Sequence, residues 1–291
     1  MNKKQLPVYT IEQFQHFEEG KDFYANDLIS HLRDHHFIHI PHKHDFFLVV
    51  IFTKGTGTHD IDFASYPIKA GSVFMLSPGQ THNWKLSKDI DGYVFFHSKD
   101  FFDSAYTQQQ TRDFPFFASI HASPFIQLKR AKSEIVASHF KEILNEYQQD
   151  KFLKVQKIRT LIHLLYLEFS RLHSPAKETG ENNRSYLQKL RKLEDLVNEN
   201  YKTVKAASHY ASMMNITEKH LNRICKSCLN KTTTDFITDK IVLEIKRLLV
   251  HSNYSVSQIA DELGYFDNSY VTRLFKKKSA ETPLAFSRKY R

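Results

Sequence analysis

The chain is 291 residues long, more than one typical domain, and a length of that order points to about two. Hydrophobic residues make up 41% and charged residues 25%, the balance of a globular protein rather than a disordered one. The net charge of +9 has a location: Arg184 to Arg291 holds 20 of the 41 Lys and Arg and 11 of the 32 Asp and Glu, leaving 21 of each upstream. A basic module joined to a neutral one leaves contact with a polyanion to the basic part, because an excess of Lys and Arg serves to neutralise phosphates and release their counterions.

The opening MNKKQLPVYTIEQF has two lysines without a following apolar stretch, so it does not read as a secretory signal. No apolar run approaches the roughly 20 residues that cross a bilayer, and no membrane contact is expected. Cys225 and Cys228 are too few for a disulfide framework, and a reducing, cytoplasmic setting is the expectation.

From about Phe37 to His97 short runs rich in Phe, Val and Ile, such as Phe46 to Phe52 and Ser72 to Leu76, alternate with turn signals at Lys54-Gly55-Thr56-Gly57 and Ser77-Pro78-Gly79. That spacing predicts a sandwich or small barrel. Between about Lys129 and Leu172 the period becomes helical, with Ile135, Phe140, Ile143, Leu144 and Tyr147, then Ile158, Leu161, Ile162, Leu165 and Phe169. Two antiparallel helices fit. Their apolar faces suit either a homodimer or a cover over the barrel, and the homodimer is the expectation. Ser174 to Asn183 is polar and aperiodic, which predicts an interdomain linker over 174–186.

The remainder is helical and repeats itself. Ala211, Met214, Asn215 and Ile216 match Ala260, Leu263, Gly264 and Tyr265 at an offset of 49, whereas Leu221, Arg223, Ile224, Lys226, Thr232 and Phe236 match Val271, Arg273, Leu274, Lys276, Thr282 and Phe286 at an offset of 50. One residue is therefore inserted in the second copy, around Phe266-Asp267-Asn268. In each copy an Ala allows close helix approach, and four residues later Asn215 or Gly264 supplies a type that tolerates positive φ. A capping residue then opens a second helix: Thr217, and Asp267 or Asn268. Its inner face would hold Leu221, Ile224 and Cys225, or Val271, Leu274 and Phe275. Its outer face would hold Lys219, Asn222, Arg223 and Lys226, or Asn268, Ser269, Thr272, Arg273 and Lys276, types that hydrogen-bond base edges and phosphates in a major groove. One basic face alone reads equally well as solvated surface; two in register argue for double-stranded DNA. Cys225-Lys-Ser-Cys228 resembles half a zinc site, but no second pair exists and Cys225 takes the repeat position of Phe275, so a buried thiol is expected.

Ser257 to Lys277, punctuated by Ala260, Gly264-Tyr265, Asp267, Arg273 and Phe275-Lys276, and followed by Thr282-Pro283 and Phe286-Ser287-Arg288, resembles the AraC family of bacterial transcription regulators. The resemblance covers about Leu187 to Arg291. It implies seven helices, the segment around Thr234 to Val250 linking two recognition helices placed in successive major-groove turns, roughly 34 to 36 Å apart. It also implies RNA polymerase as a partner. Asn215, Cys225 and Val271 depart from the common Gly, Phe and Phe, which bears on packing rather than on class.

Upstream, Pro41-His42-Lys43-His44, Gly71 and Pro78-Gly79-Gln80-Thr81-His82 resemble the two cupin motifs, but the acidic ligand of that family is replaced by the apolar run Leu48 to Ile51. His42, His44 and His82 are candidate ligand-binding residues in an effector barrel; no metal, cofactor or catalytic residue is assigned. The fold expected is thus α+β and multidomain: a cupin-like barrel over 1–128, a helical dimerisation segment over 129–173, the linker, and an all-α domain with two helix-turn-helix units over 187–291. The function expected is sequence-specific transcription regulation, as an activator sensing a small molecule or dimerising through the barrel; the alternative is a cupin metalloenzyme with a DNA-binding tail.

Overall fold

The computed structural model describes residues 6–14, 22–106, 109–118, 122–173 and 181–290. Residues 7–173 form one compact unit and residues 181–290 another. Among the described residues no helix is long and apolar enough to cross a membrane.

Among the described residues the first unit contains ten strands and four α-helices: β1 (Val8–Tyr9), β2 (Phe23–Asp27), α1 (Leu28–Asp34), β3 (Lys43–His44), β4 (Phe47–Lys54), β5 (Gly57–Ile61), β6 (Ala64–Ile68), β7 (Ser72–Leu76), β8 (His82–Leu86), β9 (Asp91–His97), α2 (Lys99–Asp103), β10 (Phe125–Gln127), α3 (Arg130–Tyr147) and α4 (Lys154–His173). A five-stranded sheet in the order β10-β7-β4-β9-β2 accompanies a three-stranded sheet in the order β6-β5-β8, and β1 pairs with β3. β4 explains the unbroken apolar run in the sequence. Its odd positions Phe47, Val49 and Ile51 belong to a core shared with α3 and α4, while its even positions Leu48, Val50 and Phe52 belong to the core inside the barrel. A strand buried on both faces has no polar side to alternate with.

Helices α3 and α4 bring Val136, Phe140, Ile143, Leu144, Ile158, Leu161, Ile162, Leu165, Tyr166 and Phe169 to that outer core. Their amphipathic faces therefore cover the barrel, the second of the two uses the periodicity allowed. Ile135, counted among the apolar face, is instead exposed. One polar pair crosses this core: the Tyr166 hydroxyl donates to His97 Nε2 at 2.5 Å, because His97 Nδ1–H is engaged with the Ser98 carbonyl at 2.7 Å.

The second unit is all helical: α5 (Glu181–Asn200), α6 (Ala207–Met213), α7 (Glu218–Leu229), α8 (Thr233–His251), α9 (Val256–Glu262), α10 (Asn268–Ser279) and α11 (Pro283–Tyr290). The expected linker is shorter than 174–186, since residues from Glu181 onward already belong to α5. That helix is fixed by the burial of Leu190, Leu193 and Val197, which outweighs the weak helical preference of its Asn and Ser residues. Residues 174–180 lie outside the described residues.

The repeat governs the backbone. Asn215 and Gly264 turn the chain at φ 54° and 72°, and the recognition helices α7 and α10 end in left-handed residues Asn230 (φ 54°) and Ala280 (φ 59°). Thr232 and Thr282 then accept from the amides of Asp235 and Ala285 to open α8 and α11. Ala280 is the strained member, because a β-carbon in the left-handed region costs about 1–2 kcal/mol. Ala280→Gly is expected to stabilise the protein by about 0.5–1 kcal/mol after the added chain entropy is subtracted. A lower denaturation midpoint in urea for this variant would contradict it.

Candidate nucleic-acid interface

Each recognition helix begins with a side-chain cap: Thr217 Oγ1 accepts from the His220 amide at 3.2 Å, and Asp267 Oδ1 from the Ser269 amide at 2.7 Å. Behind α7 lie Leu221, Ile224 and Cys225, and behind α10 lie Val271 and Phe275, all fully buried. Burial of this face fixes which residues stand outside. On α7 they include Lys219, Arg223 and Lys226, with Glu218 also exposed in the first turn; on α10 they include Asn268, Ser269, Arg273, Lys276 and Lys277, with Tyr270 and Lys278 also exposed. Lys219, Arg223 and Lys226 are the repeat equivalents of Ser269, Arg273 and Lys276, so the two helices offer matching faces.

The arginines are held differently. Arg223 Nη2 lies 2.7 Å from His220 Nδ1, and Lys189 Nζ of α5 lies 3.3 Å from His220 Nε2. A neutral imidazole has one acceptor nitrogen, so it can satisfy only one of these two cationic donors at a time. Partial desolvation first, then the two cations, depress the His220 pKa. Arg273 Nη2 approaches Asp267 Oδ2 at 3.4 Å with both side chains largely exposed, a pair of small energetic worth.

The turn before α10 is built against the loop after α5. The Lys205 ammonium donates to the carbonyls of Lys202 at 2.9 Å, Leu263 at 2.6 Å and Tyr201, and stands 4.6 Å from the centroid of the Tyr265 ring. Burial pulls the Lys205 pKa down to about 8, while carbonyl acceptors favour its charged form at neutral pH. α8 contacts both α7 and α10. Lys278 of α10 ties it to α8 through Asp235 at 2.8 Å and Asp239 at 3.1 Å.

In the first unit His42, His44 and His82 do come together, with ring centroids 4.4 Å (His42 to His82), 5.0 Å (His44 to His82) and 6.3 Å (His42 to His44) apart. His42 and His44 donate from Nδ1 to the carbonyls of Ile40 at 2.9 Å and Phe46 at 3.0 Å, and His82 Nδ1 shares a 3.0 Å hydrogen bond with His59 Nε2. The Nε2 atoms of His44 and His82 are buried without a hydrogen-bond partner in the structure. Burial lowers the pKa of His44 to about 3 and that of His82 well below 6.5, so all of these rings are neutral at pH 7. The cavity they line with His31, Trp84 and Phe96 has about 10 Å³ of free space, roughly one water. Among the described residues no group of three His, Cys, Asp or Glu side chains is arranged to hold a metal ion.

A family model described as an AraC-like ligand binding domain matches residues 28–184, and one described as a helix-turn-helix domain matches residues 210–289. The chain belongs to the AraC family. Its relatives include an uncharacterised HTH-type transcriptional regulator, YfiF of Bacillus subtilis, 23% identical over 97% of this chain and 89% of that protein. The HTH-type transcriptional activator RhaS of Klebsiella pneumoniae is 23% identical over 83% of this chain and 85% of its own length. Among solved structures, ToxT of Vibrio cholerae bound to an unsaturated fatty acid is similar with a TM-score of 0.41 and 14% identity, over 93% of this chain and 96% of that one.

Within this AraC-family frame the structure separates two of the residues expected on the outer face from the rest. Asn222 turns inward, half-buried, and its Oδ1 accepts from the Thr233 amide at 3.1 Å, capping α8. That bond uses one of the two lone pairs of Oδ1 and holds the side-chain amide toward α8, so a bidentate contact with adenine requires the amide to turn away from it. Thr272 is also half-buried and donates to the Asn268 carbonyl at 3.0 Å. Both sit one position before the exposed arginines, where a helix turns by about 100° and faces its neighbour instead of solvent. Asn222→Ala is expected to lower stability by about 1 kcal/mol, the cost of an uncapped amide, and to leave base preference unchanged. Altered preference at wild-type stability would return Asn222 to the reading set. Lys189 and His220 stand beside the α7 face, and the repeat does not mark this pair because Lys189 belongs to α5, outside it.

Proposed function

We propose that this chain is a sequence-specific transcription activator that reads double-stranded DNA with α7 and α10, rather than an enzyme, and that it acts in the cytoplasm. The observation that carries this is the pair of matching exposed faces, Lys219-Arg223-Lys226 and Ser269-Arg273-Lys276, on two capped helices of a family helix-turn-helix domain. Activation is supported by relatives such as RhaS, which bears the name of an activator. RNA polymerase follows as partner by family resemblance.

The domain limits proposed are 1–128 for the barrel, 129–173 for its helices and 187–291, extended back to Glu181, for DNA binding. The barrel senses a small molecule, and the buried Nε2 atoms of His44 and His82, with His42 beside them, are its hydrogen-bonding groups. An effector larger than a water must displace part of the present lining. A homodimer forms through the outward side of the helix pair, where Ile135, Leu164 and Leu167 remain exposed. Sedimentation giving a monomer at micromolar concentration, with and without DNA, would count against it.

The test of the reading faces is selection of binding sites from random DNA by the full-length protein. Arg223→Ala is expected to relax preference at one half of the site, because a bidentate Arg contributes about 1–3 kcal/mol of discrimination against a wrong base. Arg273→Ala, with Asn268 and Ser269 as its shorter neighbours, is expected to lower affinity with less change in preference. Unchanged affinity and preference in both variants would overturn the assignment.

A further inference from the structure

Phe266 is the residue by which the second helix-turn-helix copy exceeds the first. Ile216 and Tyr265 are equivalent at an offset of 49, and the caps Thr217 and Asp267 at an offset of 50, so the insertion falls between Tyr265 and Asp267. Its side chain is as exposed as one can be, at 109% of the reference area, and stands directly before the first turn of α10. The neighbouring aromatics are accounted for: Tyr265 lies under the Lys205 ammonium and stacks with Tyr270 at 5.4 Å and 30°. Solitary exposed apolar residues are common and carry no meaning by themselves. This one sits at the end of a recognition helix that meets base edges, beside exposed Asn268 and Ser269.

We infer that Phe266 is a specificity-determining residue, and that its ring packs on the C5-methyl group of a thymine in the major groove. The inference rests on the reading of α10 as a DNA-contacting helix. The chemistry fits because thymine alone offers an apolar group on the major-groove edge, and a Phe side chain has no donor or acceptor with which to address any other base. No protein rearrangement is needed, since the ring is already in water and gains burial only when DNA arrives. The first helix-turn-helix copy lacks this contact, so the two half-sites differ in the base they demand at the position facing the turn.

The experiment uses full-length protein and a site selected by it from random DNA. Each thymine is replaced in turn by deoxyuridine, which removes only the methyl group. Wild type is expected to lose about fourfold in affinity at one thymine, the worth of one buried methyl, and Phe266→Ala to bind both forms equally. Sites selected by Phe266→Ala should lose that thymine. If the methyl matters equally to both proteins or to neither, the inference falls while the DNA reading stands. If wild type selects no sequence, the DNA reading falls with it. If Phe266→Ala binds DNA as wild type does but loses transcription activation, the ring serves a protein partner and the inference is overturned.

Discussion

Lowering the pH from 7 toward 5 is expected to destabilise the barrel unit steeply. His31, His42, His44, His59, His82 and His97 are all buried, and burial is the first cause lowering each pKa, to about 3 for His31 and His44 and about 4 for His97. Above the ordinary histidine value of 6.5 folded and unfolded chains are both neutral and these groups make no difference. Below it the unfolded chain takes up protons that the folded chain rejects, so stability falls as pH falls, down to the folded-state values. Each such ring removes about 1.4 kcal/mol per pH unit, and the six together set a ceiling of about 8 kcal/mol per unit. Asp34 and Asp103 oppose the trend at His31 and His97 and soften it there. Because this is a ceiling, against a typical stability of about 5–15 kcal/mol it sets the earliest onset of unfolding at about pH 6, with the loss growing as the pH falls further. Trp84, the one tryptophan of the chain, is buried in this core and reports on it. Urea midpoints followed by its fluorescence should drop steeply between pH 7 and 5.5, and equal midpoints at the two values would refute the expectation.

Gly264→Ala is expected to cost more than about 3 kcal/mol and to abolish sequence-specific DNA binding. The residue holds φ at 72°, which costs an alanine about 1–2 kcal/mol by itself. An added β-carbon would also lie 2.2 Å from the Lys202 carbonyl oxygen, so the backbone after α5 must retreat. Retreat strains the three carbonyl contacts of the Lys205 ammonium, charge-assisted bonds worth about 1.5–3 kcal/mol each. With the turn displaced, α10 no longer presents Arg273 and Lys276 in register with α7. Asn215→Gly is the control: it keeps the left-handed turn of the first helix-turn-helix copy and should change stability by less than about 1 kcal/mol. Thermal melts by circular dichroism and gel shifts distinguish the two, and wild-type behaviour of Gly264→Ala would show that the close approach is not required.

The repeat was legible because positive φ restricts residue choice: Asn215 and Gly264 mark the same turn, and helical periodicity on either side then fixes the inner faces. Side-chain direction at the margin of a face was not. Asn222 and Thr272 lie at the border between solvent and neighbouring helix, and only the position of α8 shows that Asn222 caps it. In the barrel, the adjacent pair His42 and His44 and the later His82 form a recognisable motif. His31, His35 and His59 reach the same interior from α1, the loop after it and β5, and strand register, which decides that, is not written in local spacing. β1, β2 and β10 lie outside the run of strands that the turn signals mark, β2 and β10 as the two edges of the five-stranded sheet. The apolar faces of α3 and α4 were seen, but amphipathicity alone does not say whether a helix meets its own barrel or another chain.

The double burial of β4 has a mechanical consequence. The strand is a wall one residue thick, with Leu48 and Val50 on the histidine side and Phe47 and Val49 on the side of α3 and α4. Close-packed interiors yield little, so a side chain pushed outward from within the barrel moves the strand, and the strand moves the helices. Any swelling of the cavity is thereby transmitted through the thickness of a single peptide plane to the outer helical layer.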